Sequence, residues 1–375
     1  MCGNSAEELI MNILQVNKFY YPKVGGIERV VQNIAEGLPK QYNTHVLAAQ
    51  PVGFPSSDYH SGVKITKAAS LGVIMSVPVA PTFPIRFQSA VRDADVVHHH
   101  LPNPLSAVSQ LMTKTDSPPI VATYHSDIIR QATAFKLYRP ILHRFLRTVD
   151  RILVTSRRLL KHSNVLQPHK DKCDVVPLSI DLTSVGCENP APLNTAPEGP
   201  IVLFVGRLNY YKGVEYLVKA MRDVDATLLV AGDGNRRSAL QELAQDRGVS
   251  NKIQFLGYLS EERLAAAYRA ADVFVLPSVE PSEAFGIVQL EAMARGTPVV
   301  NTALPTGVPW VSQDDVTGLT VPPRNPAALA DAINTLLTDD ERRRKYAERA
   351  RARVGEMFTR DQMIDRITTV YESLS

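Results

Sequence analysis

Phe204-Val-Gly-Arg-Leu-Asn-Tyr-Tyr-Lys-Gly213 decides how this chain is to be read. The apolar run Ile201 to Val205 leads into it and a helical pattern, Val214 to Arg222, leads out, so Gly206, Arg207, Lys212 and Gly213 fall in a loop between a strand and a helix. Glycines let the backbone come close to a ligand, the helix N-terminus supplies unpaired N–H groups, and the two cations supply charge. A diphosphate is the natural guest of such a loop. Taken alone, the same residues would also suit an ordinary turn with two solvated cations, so its surroundings matter.

Downstream, the alternation of strand and helix continues. Strands are expected at Ala226 to Ala231, Ile253 to Leu256, Val273 to Leu276, Pro298 to Asn301 and Leu319 to Val321, with helices at Arg236 to Asp246, Glu261 to Ala270 and Phe285 to Ala294 between them. Upstream, short β-branched runs at Asn12 to Val16, Thr44 to Ala49, Val63 to Lys67, Asp95 to His99, Ile120 to Tyr124, Arg151 to Thr155 and Asp174 to Val176 repeat the pattern. Several are apolar throughout, as parallel strands covered by helices on both faces require. The expected fold class is therefore α/β, with two Rossmann-like domains.

The boundaries follow from composition. Residues 1–10 precede the first strand and read as a disordered extension, 11–185 as the first domain, and 200–355 as the second. Residues 186–199, rich in Asn, Pro, Thr and Glu, read as the linker. A last amphipathic stretch, 356–375, is free to pack on either domain.

A chain of 375 residues exceeds what one hydrophobic core usually organises, and 45% apolar with 21% charged residues is ordinary for a globular protein. With 41 basic and 38 acidic residues the net charge is +3, too balanced to argue for a nucleic-acid partner. Cys2, Cys173 and Cys187 match neither a disulfide framework nor a zinc ligand set. The first eight residues lack the basic start and apolar core of a signal peptide, and no run approaches the roughly 18 apolar residues that cross a bilayer. A cytoplasmic setting is expected.

Pro281-Ser-Glu283-Ala-Phe-Gly-Ile-Val-Gln-Leu-Glu291 carries two carboxylates eight positions apart. On one helix they would stand about 80° apart and some two turns distant, with Glu283 at its start. The amides of Ala284, Phe285, Gly286 and Ile287 would then face an anion. A favourable helix dipole for Glu283 and a surface ion pair for Glu291 are the plainer readings of each residue alone.

Taken together, Gly206-Arg207, Lys212-Gly213, Ala231-Gly-Asp-Gly234, Phe255-Leu-Gly-Tyr258, Pro277-Ser278, the Glu283/Glu291 pair, Gly296-Thr-Pro-Val-Val300 and Asp315-Val-Thr-Gly-Leu319 resemble a family 4 glycosyltransferase of the GT-B fold. The resemblance spans nearly all of Asn12 to Ser375. It implies two Rossmann-like domains facing across a cleft, and a retaining, metal-independent transfer from a nucleotide diphosphate sugar. By this similarity Arg207 and Lys212 neutralise the diphosphate, Glu291 bonds the ribose and Glu283 the sugar hydroxyls. Residues 285–287 contact phosphate or sugar through their backbone, and Gly257 and Tyr258 meet the base. In the first half, Gly25 and Gly26 open a helix near the diphosphate or acceptor. His125, in Thr123-Tyr-His-Ser-Asp127, bonds the donor sugar, with Asp127 and Asn103 on the acceptor side. Each also suits a turn or a structural strand end.

His98, His99 and His100 alternate faces on one strand, so they are not expected to form a metal cluster. From the resemblance, no metal or other cofactor is expected. Thr306-Gly-Val-Pro-Trp310 departs from the Gly-x-Pro-Glu segment of many relatives and looks like transferases of bacterial surface polysaccharides. GDP-mannose or a UDP-hexose is the expected donor, and a glycan or lipid-linked saccharide the acceptor. Basic and apolar residues mixed from Arg130 to Arg151 suit either a peripheral helix at anionic headgroups or a solvated helix with a buried stripe. A lipid-linked acceptor would place the protein at the cytoplasmic face of the inner membrane.

Three rivals share parts of this pattern. A dinucleotide-dependent oxidoreductase needs G-x-G-x-x-G after its first strand, which neither Gly25-Gly26 nor Gly232-Asp-Gly234 supplies. A sugar-nucleotide epimerase of the same fold would consume donor without acceptor. A non-catalytic sugar-nucleotide binding protein would bind without turnover.

Overall fold

The computed structural model describes residues 10–23, 25–113, 117–128, 132–185 and 197–374. The expected extension before residue 10, Arg130 and most of the expected linker, 186–196, lie outside them. The chain divides into two compact units. One comprises the chain through Thr155, Ser163–Val176 and Arg360–Ser375, and the other Ser156–His162 with Pro177–Thr359.

The first unit is built on eight strands: β1 (Met11–Val16), β2 (Tyr42–Ala49), β3 (Ser56–His60), β4 (Val63–Ala68), β7 (Val96–Leu101), β8 (Ile120–Tyr124), β9 (Arg151–Val154) and β10 (Cys173–Val175), with the short hairpin β5 (Val73–Ile74) and β6 (Val77–Pro78) beside them. Their order is β10-β9-β8-β7-β1-β2-β4-β3. All pairs are parallel except β3 with β4. β3, β5 and β6 were not expected. β3 is polar and exposed on an edge, and the hairpin joins only two residues per strand, so neither carries an apolar period.

The second unit has β11 (Ile201–Val205), β12 (Thr227–Ala231), β13 (Ile253–Gly257), β14 (Val273–Leu276), β15 (Val299–Thr302) and β16 (Gly318–Val321) in the order β13-β12-β11-β14-β15-β16. Every pair is parallel. This is the doubly wound order in which connections from the central strand run in opposite directions, so the loops after β11 and β14 part at a switch point and leave a crevice there. The first unit has the same switch between β1 and β7.

Burial follows the expected logic. β7, β8, β11, β14 and β15 are buried at every residue, as strands sandwiched by helices must be. In the second unit Val202, Phe204, Leu217, Leu228, Val273 and Ile333 belong to one core. The last helix, Arg360–Glu372, is part of the first unit, where Tyr371 is fully buried and Tyr42 Oη donates to Glu372 Oε1 at 2.8 Å.

One expected boundary is corrected. The helix placed from Phe285 begins at Ile287, because Gly286 takes the left-handed conformation (φ 74°) and ends any earlier helical turn. Glu283 therefore lies in the preceding loop and shares no helix face with Glu291. No described helix is long and apolar enough to cross a membrane.

Candidate functional site

In the second unit, the loop after β11 crosses the switch point to meet the loop after β14. Gly213 makes this possible. Its φ is 63°, and a Cβ there would stand 2.2 Å from the carbonyl oxygen of Pro277. Only glycine allows that approach. The result places Lys212 Nζ 2.6 Å from Glu283 Oε2, both side chains about nine-tenths buried. Ser278 Oγ donates to the same carboxylate oxygen at 3.1 Å. Burial pulls the pKa of Lys212 down, but the charge and hydrogen bond of Glu283, with Tyr211, outweigh it and the net shift is upward. Lys212 is thus a fixed, buried cation, and Glu283 owes its orientation to that cation rather than to a helix dipole.

Gly206 is held by backbone. Its N–H donates to Ala231 O at 2.9 Å, and Leu208 N–H to Asp233 O at 2.9 Å, so the Gly232-Asp-Gly234 turn braces the loop from behind. Arg207 is exposed at the rim. Phe285 is buried, its ring against Trp310 (6.2 Å between centroids) and Phe358 (6.0 Å), while Gly307 N–H donates to Ala284 O at 2.8 Å. Trp310 therefore acts from beneath, clamping the segment that presents Gly286 and the first amides of the Ile287–Ala294 helix. Inside that helix Glu291 is half-buried, and Tyr268 Oη donates to its Oε2 at 2.8 Å. Gly257 ends β13 and Tyr258 follows it, with its side chain 79% exposed.

In the first unit, Gly25 caps the helix Gly26–Gly37 with extended backbone, and the Glu28 carboxylate folds back over it. Gly26 has open space around it. His125 follows β8; it is buried, its N–H donates to Leu101 O at 3.0 Å, and its Nε2 lies 3.1 Å from His100 Nδ1. Burial, with the charge of Lys18, lowers its pKa to about 3, so it is neutral at physiological pH. Lys18 escaped sequence reasoning. It directly follows Asn17 at the carboxyl end of β1, and that position was the available signal.

Asp127 lies two residues beyond His125. It accepts from Tyr124 Oη and Ser163 Oγ, each at 2.7 Å, and so ties the end of β8 to the segment after residue 162. Asn103 caps the helix Pro104–Met112 by accepting from Ser106 N–H at 3.3 Å, while its buried Nδ2 has no partner among the described residues. His98 and His100 stack on one face of β7, and His99 contacts Phe87 and Phe145 on the other. Among the described residues no group of three His, Cys, Asp or Glu is arranged to hold a metal ion. In the helix Ala132–Thr148, Leu142, Phe145 and Leu146 are core residues, whereas Leu137 and Ile141 are exposed beside Lys136, Arg139 and Arg144.

Residues 24–184 match the family model described as Glycosyltransferase Family 4, and residues 188–353 that described as Glycosyl transferases group 1. The chain is 32% identical over 373 residues to O-antigen chain mannosyltransferase C of Escherichia coli, covering 97% of this chain and 99% of that one. It is 33% identical over 364 residues to D-rhamnosyltransferase WbpZ of Pseudomonas aeruginosa, covering 93% and 92%. In fold it is similar to sucrose-phosphate synthase from Thermosynechococcus elongatus, with a TM-score of 0.79 at 24% identity over 97% of this chain and 99% of that one. It is likewise similar to Anabaena HepE in complex with UDP-glucose, with a TM-score of 0.78 at 19% identity over 97% and 100%.

Proposed function

The chain belongs to the family 4 glycosyltransferases, of GT-B fold, and from that premise we propose that it moves a hexose of the mannose series from a nucleoside diphosphate donor to a glycan or lipid-linked acceptor, with retention at the anomeric carbon. The observation that carries the reading is the buried Lys212–Glu283 pair at 2.6 Å, set beside Gly286 at the tip of the Ile287–Ala294 helix. A fixed ammonium, the exposed Arg207 and the helix amides offer positive charge where a departing nucleoside diphosphate becomes negative. That charge is the reason to expect no metal cofactor. Glu283 accepts from donor-sugar hydroxyls, Glu291 from the ribose, and Tyr258 stacks on the base. Gly25, Gly26 and His125 are assigned to the donor, and Asn103 and Asp127 to the acceptor.

In the proposed reaction the bond from the anomeric carbon to the diphosphate oxygen breaks as the acceptor oxygen bonds to that carbon on the same face. The acceptor proton passes to the leaving phosphate oxygen. No carboxylate is assigned as a nucleophile, because Glu283 is engaged by Lys212 and Ser278.

Mannose and D-rhamnose, the sugars named for the two relatives described above, share an axial 2-hydroxyl, which supports a donor of that series and a role in surface polysaccharide synthesis. Leu137 and Ile141 among Lys136, Arg139 and Arg144 support contact with anionic headgroups at a membrane surface. Thermal-shift measurements with GDP-mannose, GDP, UDP-glucose and UDP test the donor, since a ligand raises stability in proportion to ln(1 + concentration/Kd). A shift with the guanosine compounds and transfer that persists in EDTA are expected; a shift with the uridine compounds alone would move the assignment to UDP-hexoses.

A further inference from the structure

One chain of buried polar side chains runs from the last helix to His125. Tyr371, on the Arg360–Glu372 helix, receives a hydrogen bond from Gln15 Nε2 at 3.0 Å. Gln15, on β1, places its Oε1 2.8 Å from His100 Nε2, and His100, on β7, places its Nδ1 3.1 Å from His125 Nε2. A branch runs from Tyr371 Oη to His98 Nδ1 at 2.6 Å and from His98 Nε2 to Thr123 Oγ1 at 2.7 Å. Gln15, His98, His100 and Tyr371 are at most 1% exposed, so no water competes for these bonds.

Donor and acceptor roles along this chain are not independent. Because Gln15 donates its amide to Tyr371, its carbonyl oxygen must accept, and only a proton on His100 Nε2 can supply that bond. Burial keeps His100 neutral, so that is its single ring proton and its Nδ1 is a bare lone pair. His125 must then donate from Nε2. Being neutral as well, it has no proton left for Nδ1. On the branch, His98 Nδ1 and Nε2 face the hydroxyls of Tyr371 and Thr123, each of which can donate or accept, so the branch places no constraint on His100 or His125.

We infer that Tyr371 and Gln15 are positioning residues that fix the tautomer of His125, leaving its Nδ1 able only to accept a hydrogen bond, as from a hydroxyl of the donor sugar. The inference rests on the proposed contact of His125 with that sugar. A hydroxyl that donates to Nδ1 gains electron density at its oxygen, which favours positive charge on the sugar ring as the leaving group departs. A ring that donated instead would oppose it.

The test is a long-range proton–nitrogen NMR correlation on the full chain labelled with nitrogen-15 histidine, the His125 signal being assigned by its loss in His125→Gln. The unaltered protein should show His125 protonated at Nε2 and bare at Nδ1. In Tyr371→Phe and Gln15→Leu the two tautomers should mix, with kcat for sugar transfer falling about tenfold, the scale of one hydrogen bond, and donor KM little changed. A proton on Nδ1 in the unaltered chain, or an unchanged His125 pattern in a folded variant, would overturn the inference. Should both variants fail to fold, the tautomer of the unaltered chain still decides. Full transfer activity in His125→Ala would instead remove the sugar contact, leaving the tautomer result intact.

Discussion

Lys212 Nζ lies 2.6 Å from Glu283 Oε2, a pair drawn from loops 71 positions apart and buried where the two loops part at the switch of the sheet. Removing one partner strands the other charge in a poor dielectric. Lys212→Ala is expected to cost about 3–5 kcal/mol of stability, while Lys212→Ala combined with Glu283→Ala should cost less than the sum of the single changes. Urea denaturation of the four proteins measures this coupling. The pKa of Lys212 is raised in the folded state, so the pair's contribution is complete below the ordinary lysine value of 10.5 and is lost as pH climbs through the folded value.

Donor recognition is read separately from stability through Glu291. Glu291→Ala and Lys212→Ala should each abolish the donor-induced thermal shift. Tyr268→Phe removes only the hydroxyl 2.8 Å from the Glu291 carboxylate and should weaken donor binding about fivefold, the scale of one lost orienting bond. Isothermal titration resolves the difference, and full donor affinity in Glu291→Ala would remove that residue from the site.

Exposed and buried contributors should behave oppositely. Arg207 and Tyr258 face solvent, so Arg207→Ala and Tyr258→Ala are expected to leave the melting temperature within experimental scatter while raising the donor Kd. Gly213→Ala should do the reverse of a silent change. Its Cβ would meet the Pro277 oxygen at 2.2 Å in a left-handed backbone, so a loss of at least about 1–3 kcal/mol in stability is expected, with donor binding lost as the loop shifts.

Acid should weaken the first unit. Burial lowers the pKa of His98 and His125 to about 3 and of His45 and His99 to about 4, against an ordinary value near 6.5. The unfolded chain therefore takes up protons that the folded chain refuses. Stability is fully present above pH 6.5 and falls as pH drops toward 4, by up to about 1.4 kcal/mol per pH unit for each such histidine. A urea midpoint that is the same at pH 7 and pH 5 would contradict this picture, and His45→Gln should flatten the slope by one proton.

Much of the architecture was legible as residue pattern. Apolar runs such as Ile201 to Val205 and Val273 to Leu276 fell where strands stand, because a strand covered on both faces has no alternative to being apolar throughout. Ser56–His60 was missed because an exposed edge strand needs no such run. The start of the helix before Glu291 was missed because a glycine in the left-handed conformation, rather than any change of apolar period, ends the preceding loop. Trp310 read as a departure from a motif. Its packing against Phe285 and Phe358 shows a brace under the loop that leads to Gly286.

Local sequence by itself determined the doubly wound α/β class and the identity of the charged loop residues, since apolar periodicity and glycine placement act over a few neighbouring positions. Tertiary structure alone decided which charges meet and which protons are shared. Lys212 finds Glu283 only because Gly213 admits a carbonyl at close range, and His98 reaches Tyr371, 273 positions away, only because the last helix is part of the first unit. Hydrogen bonds and buried charges depend on distances of a few ångströms, and such distances between remote segments are set by packing rather than by spacing along the chain.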